Sequence, residues 1–119
     1  LPSREEKLFE MPVADVYVHY LKKVERKDRS EAELLKVITW LTGFDTKALK
    51  SHLKNKTSFS DFFKIAKIHP NASLITGSIC GVKLTEIEDP LMKKIRYMDK
   101  LVDELAKGRP MEKILRSGV

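Results

Sequence analysis

The sequence predicts an all-α fold: a compact single-domain bundle of about six or seven short helices with one long C-terminal amphipathic helix. Three observations predict it. Apolar residues recur at i, i+3, i+4 and i+7 in successive windows, capping residues precede those windows, and glycine or proline follows them. No pair of segments shows the polar–apolar alternation of partnered strands. With 119 residues and 42% hydrophobic content, the chain is long enough to bury one core without disulfides or a metal. It is therefore read as one domain over 1–119.

Residues 1–10 read as a mobile or loosely docked arm, with Leu8, Phe9 and Met11 as its anchors. Pro12 stands where a helix begins, and Val13, Val16, Tyr17, Tyr20, Leu21 and Val24 form its buried face. That helix ends in the charged stretch Lys27–Arg29. Ser30 with Glu33 is a capping box for the next helix, which buries Leu34, Leu35, Ile38 and Leu41, flanks them with Val37 and Trp40, and closes at Gly43. Asp45 caps a short helix carrying Ala48, Leu49, His52 and Leu53. Ser58 and Asp61 mark another start, followed by Phe59, Phe62, Phe63, Ala66 and Ile68, with Pro70 as the stop.

Asn71 then opens Ala72–Cys80, whose β-branched Ile75, Thr76 and Ile79 fit a strand or a buried helix equally by period. Helix is preferred because asparagine caps well and no second strand is evident. On that reading Gly77 and Gly81, four residues apart, admit a closely packed neighbouring helix, and Val82–Leu84 is an extended link. Thr85 with Glu88 repeats the capping-box pattern. Asp89 caps and Pro90 opens the long helix, with Leu91, Ile95, Met98, Leu101, Val102 and Leu105 buried, Lys93, Lys94, Lys100 and Glu104 exposed, and Gly108 as its end. A last short helix starts at Pro110 and buries Met111, Ile114 and Leu115.

Composition narrows the function classes. A single cysteine, Cys80, excludes an internal disulfide and a CxxC metal site and suits a cytoplasmic protein. The longest apolar run, around Ile75–Val82, is too short to span a membrane, and the charged LPSREEKLFE start lacks the apolar core of a signal peptide. His19, His52 and His69 stand at no metal-binding spacing, and Gly77 and Gly81 lack the context of a phosphate-cradling loop, so no cofactor is expected. Cys80 reads as a small buried hydrophobe rather than a nucleophile. The acids Glu86, Glu88 and Asp89 suit a helix N-terminus, where the macrodipole is positive. Tyr17, Tyr20, Trp40, Phe44 and Phe59–Phe63 fall on expected core faces rather than on a base-stacking platform.

The net charge of +6 favours an anionic partner, and its most one-sided group is Lys47, Lys50, Lys54 and Lys56. That group sits in a helix-turn-helix-like layout over residues 31–54, with Gly43 in the turn and Phe44 and Leu49 at packing positions. Its second helix would present Thr46, Lys47, Lys50, Ser51 and Lys54 to phosphates or bases.

The segments WLTGF (Trp40–Phe44), LITGSICGV (Leu74–Val82) and Glu86–Arg116, with Met11, Val16 and Tyr17 near the start, resemble the bacterial Domain-of-Unknown-Function family 2200. The resemblance covers nearly the whole chain and implies one compact bacterial domain. It brings no catalytic or binding residues with it. The preferred reading is a noncatalytic cytoplasmic protein that acts by binding a protein partner, a second copy or a ligand. The alternatives are nucleic-acid binding through residues 31–54 and an enzyme built around Cys80 and Glu86–Asp89.

Overall fold

Capping side chains start most of the helices. In the computed structural model, which describes residues 3–117, seven α-helices run α1 (Arg4–Glu10), α2 (Val13–Arg26), α3 (Glu31–Thr42), α4 (Thr46–Lys54), α5 (Phe59–Ile65), α6 (Pro90–Ala106) and α7 (Met111–Ile114) among those residues. The hydroxyls of Ser3, Ser30 and Ser58 accept from the backbone N–H three residues on, and so do the carboxylates of Asp45 and Asp89. Each such cap satisfies a donor that the helix itself leaves orphaned, worth about 1 kcal/mol. At Ser30 the box is complete, because Glu33 Oε1 accepts from Ser30 N at 3.0 Å. Gly43 ends α3 in the left-handed conformation at φ 75°.

The amphipathic faces of α2, α3 and α6 meet in the centre, where Val24, Leu34, Ile38, Leu41, Met98, Leu101 and Leu105 are essentially sealed from solvent. The α4 helix packs on α2 and α3, α5 on α1 and α6, and α7 on α6. Residues 4–10 form a helix rather than a mobile arm: α1 docks on α5 with Leu8 and Phe9 half-buried, while Met11 is 38% exposed. Leu1 and Pro2 lie outside the described residues. Two short backbone bonds, Val13 N to Thr57 O and Phe59 N to Met11 O, tie the α1–α2 link to the α4–α5 link.

The stop of α5 comes earlier than Pro70. After Ile65 the chain runs extended along the end of α3, where Lys67 N donates to Thr42 O at 2.8 Å and His69 N to Leu41 O at 3.0 Å. Those carbonyls belong to the last turn of α3 and would otherwise lack partners. Ile68 remains half-buried along this path.

The expected helix over Ala72–Cys80 does not form. Pro70–Leu74 is a single 3-10 turn capped by His69, whose Nδ1 accepts from Asn71 N, so the cap is His69 and not Asn71. The chain then folds into a hairpin of β1 (Ser78–Ile79) and β2 (Val82–Lys83), registered Ser78 to Lys83 and Ile79 to Val82. The missing second strand is the segment read as a link. The two-residue loop, Cys80 at φ 53° and Gly81 at φ 78°, has the positive φ pair of a type I′ turn. Gly77 and Gly81 therefore serve turns rather than a helix contact; a Cβ on Gly77 would face Lys100, and one on Gly81 would meet nothing. Cys80, at the tip, is exposed instead of buried. Leu84–Glu86 forms another 3-10 turn, so Thr85 and Glu88 make no capping box and Asp89 alone caps α6.

Along α6 the stripe Ile95, Met98, Leu101, Val102 and Leu105 is buried as expected, Leu91 is half-buried, and Met92 and Tyr97 join the buried set. Lys93, Lys94 and Lys100 are half-buried rather than fully exposed. Glu104 contradicts its expected exposure: it is 6% exposed and pairs with Arg116 at 2.6 Å and Arg109 at 2.7 Å. The chain beyond Gly108 folds back over that position and supplies both cations. It is fixed further by Asn71, which donates to Arg116 O, and by Trp40 Nε1, which donates to Ser117 Oγ at 2.8 Å. Of the last helix's expected core residues, Ile114 is buried and Met111 and Leu115 are half-buried.

Candidate functional site

The candidate face is carried by α4. Its period divides nine residues into two halves: Ala48, Leu49, His52 and Leu53 turn inward, while Thr46, Lys47, Lys50, Ser51 and Lys54 all stand exposed on the other side. All five residues expected on this surface are therefore together, and no carboxylate lies among them. Leu49 is fully buried, and His52 sits between the rings of Phe44 and Phe62, with centroids 4.7 and 5.6 Å away. His52 Nδ1 lies 3.0 Å from Thr57 Oγ1, which uses its polar edge in the fold. The aromatic packing and the α3 turn thus back α4 on its buried side.

The turn between α3 and α4 is short and contains Gly43. Gly43 to Asp45 separate α3 from α4. A Cβ on Gly43 would come within 2.9 Å of Lys67 O, so the close approach of the 66–69 segment requires glycine there. That approach also places the exposed Lys67 beside the start of α4. Asp45, the nearest acid, spends its carboxylate on the cap, accepting from Ala48 N at 2.7 Å. The first turn of α4 contains no acid, and Lys47 occupies it. A cation at that end opposes the macrodipole and costs a fraction of a kcal/mol, while raising the local positive potential. Among the described residues, Lys47, Lys50, Lys54, Lys56, Lys64 and Lys67 make no salt bridge.

The second expected constellation is brought together only loosely. Cys80 Sγ lies 3.8 Å from Arg96 Nη1, and Arg96 lines a groove that Glu86, Glu88 and Asp89 also line. Arg96 is committed to Asp99 at 2.9 Å, and Asp99 also accepts from Tyr20 OH. Burial and the neighbouring Asp99 carboxylate push the Tyr20 phenol well above its ordinary range, which keeps it a proton donor in this bond. No histidine lines the groove. His19 is exposed on α2, and His69 stacks on Trp40 with centroids 4.3 Å apart. Among the described residues no group of three or more His, Cys, Asp or Glu side chains is placed to hold a metal ion. No helix among them is long and apolar enough to cross a membrane.

The charge pairs between separate segments were not legible in advance, whereas Arg29–Glu33 and Asp103–Lys107 lie at the i,i+4 spacing that signals such pairs. Asp103 takes Lys23 and Lys107 at 3.3 and 3.0 Å, and Arg29 reaches Glu33 at 2.8 Å and the carbonyl of Arg109 at 2.9 Å. Partial burial raises the Asp103 carboxyl, but hydrogen bonds from Lys107 and Lys23 outweigh it and leave it below the usual range. Arg29 and the Ser30 N–H hold Glu33 low as well.

Comparison with curated proteins gives no match. Among solved structures, the chain is similar to the crystal structure of uncharacterized protein SP1917, at 41% identity and a TM-score of 0.88 over 96% of this chain and 94% of that one. The profile of a family described as uncharacterized proteins conserved in bacteria, DUF2200, matches residues 7–116. The chain belongs to that bacterial family.

Proposed function

We propose that this chain acts as a single helical domain that works by binding rather than turnover, and that its binding surface is the exposed half of α4, presented to the phosphate backbone of a nucleic acid. The observation that carries this reading is the acid-free arrangement of Thr46, Lys47, Lys50, Ser51 and Lys54 on one face of a helix buttressed from behind. Three lysines within two turns match a backbone of closely spaced phosphates, and the flanking hydroxyls are hydrogen-bond partners for phosphates or base edges. The order of α3, a three-residue turn and α4, with one half of α4 exposed, supports the same reading. A cytoplasmic location accompanies the proposal, supported by a free, exposed Cys80 thiol that suits a reducing compartment.

The test is fluorescence anisotropy with a labelled duplex of about 20 base pairs, titrated between about 50 and 200 mM salt. Binding should weaken as salt rises, with a logarithmic slope of up to about three if all three lysines contact phosphates. Replacing Lys47, Lys50 and Lys54 with alanine should abolish that dependence without lowering the melting temperature, because none of them makes a salt bridge among the described residues. Binding that survives the triple substitution unchanged refutes the assignment of α4.

A further inference from the structure

We infer that the groove between α1, β2 and the first half of α6 docks a basic amphipathic segment of a partner protein. This surface is separate from the α4 face, and the inference does not depend on nucleic-acid binding. The groove has a volume of about 620 Å³. Its floor is apolar, built by Leu8 from α1, Val82 from β2, Ile87 before α6 and Met92 within it. Val82 is 43% exposed, and Leu8 and Ile87 are only half-buried, so apolar surface is left open to water.

The rim decides what kind of partner fits. Glu5, Glu86 and Glu88 line it, all exposed, and none of them accepts a side-chain hydrogen bond or ion pair among the described residues. Asp89 also lines the groove but is engaged as the α6 cap. Two bases are present. Arg96 is neutralised by Asp99 at 2.9 Å, which leaves Arg4 as the one base facing three free carboxylates. Lys83 follows Val82 in the strand, and alternation turns its side chain to the opposite face. In a chain of net charge +6, this groove is thus a patch of local negative excess around an apolar floor. The complementary occupant carries apolar side chains for Leu8, Val82, Ile87 and Met92 and a lysine or arginine for the glutamates. The groove is open along one side. An enclosed small ligand would need most of its surface covered, whereas a peptide segment needs only one face covered.

The experiment is selection of a displayed random-peptide library on the whole immobilised chain, with affinities of the enriched peptides then measured by anisotropy. Enriched peptides should combine apolar residues with lysine or arginine. They should lose about tenfold or more in affinity on the paired substitution Glu86→Lys and Glu88→Lys, and also weaken on Val82→Ser. The first pair of substitutions lies on exposed side chains, and a circular dichroism melt matching the parent verifies that the fold is retained. Affinity should be indifferent to alanine at Lys47, Lys50 and Lys54, which separates this groove from the α4 surface. Failure to enrich any peptide, enrichment of acidic or uncharged peptides, or binding insensitive to the Glu86 and Glu88 reversals would overturn the inference.

Discussion

Truncating Leu101 tests the central packing of the fold. Leu101 is fully buried on α6, where that helix meets α2 and α3. Leu101→Ala removes three carbons, about 2.4 kcal/mol at roughly 0.8 kcal/mol for each buried methylene. The cavity that remains adds to that loss and brings the total to about 3–4 kcal/mol, within the range measured for buried leucines. Domains of this size hold about 5–15 kcal/mol in all. At about 4 °C per kcal/mol for a chain of this length, the melting temperature should fall by about 12–16 °C. Lys94→Ala, on the same helix, removes a half-buried stem and a charge with no ion pair among the described residues, and should shift it by less than about 2 °C. Thermal unfolding followed by far-ultraviolet circular dichroism, with urea titration for the free energies, measures both. Equal melts for the two variants would refute the assignment of this stripe to the core. A Leu101→Ala midpoint that climbs with protein concentration would refute it too, by placing the face between subunits.

At Glu104, alanine should cost about 3 kcal/mol or more, because it strands the Arg116 guanidinium, whose side chain is only 13% exposed. Arg116→Ala should cost less, since Glu104 keeps Arg109, and urea unfolding of the two variants orders them. Gly43→Ala should destabilise more than Gly81→Ala: both force a Cβ onto positive φ, about 1 kcal/mol, but only at Gly43 does that Cβ meet backbone, Lys67 O at 2.9 Å. In acid, Glu33 and Asp103 have folded pKa values below their unfolded ones, so the unfolded chain takes up protons first. Their contribution is present above the ordinary carboxylate range and is lost as pH falls through the depressed folded values. Tyr20 works in the opposite direction at the alkaline end: its raised folded pKa makes its contribution complete below about 10 and lost as pH rises above that. Urea midpoints measured across pH should fall at both ends, and the acid loss should shrink in Asp103→Asn.

Local signals in the sequence reached as far as local forces determine the structure. Ser30, Asp45, Ser58 and Asp89 act within three residues of themselves, so their helix starts were readable. The outward set on α4 followed from helical period alone. Ala72–Cys80 failed because its β-branched residues satisfy two periods, and because Cys80 takes a positive φ that its side chain does not advertise. The hairpin is stabilised from elsewhere, with Lys100 Nζ donating to Ser78 O at 3.0 Å from α6. Glu104 was misread for a related reason: its partner Arg116 lies twelve residues on and reaches it only after the chain reverses at Gly108. The groove was beyond reach because its walls come from three separated segments, around residues 4–8, 82 and 86–96.

Charge in this protein is spent unevenly. Along α6 and the segment after it, Asp99, Asp103 and Glu104 are each engaged by at least one base, and those bases come from α2, from α6 itself and from the C-terminal residues. The pairs of Asp103 with Lys23 and of Glu104 with Arg109 and Arg116 join separate segments, so they contribute to holding α2, α6 and the C-terminal residues in register, while Arg96–Asp99 and Asp103–Lys107 are local helix pairs. The lysines of α4 and the segment through Lys67 have no such partners among the described residues. Their mutual repulsion, with Lys47 set against the helix macrodipole, makes them a small cost to the folded state. A bound polyanion of the kind proposed for this face would relieve that repulsion. The excess of +6 is therefore not uniformly placed: Asp99, Asp103 and Glu104 of α6 are each paired, whereas the α4 lysines make no salt bridge among the described residues. Under the proposed function, the α4 lysines would set what the protein attracts, while the α6 carboxylates contribute to holding α2, α6 and the C-terminal residues together.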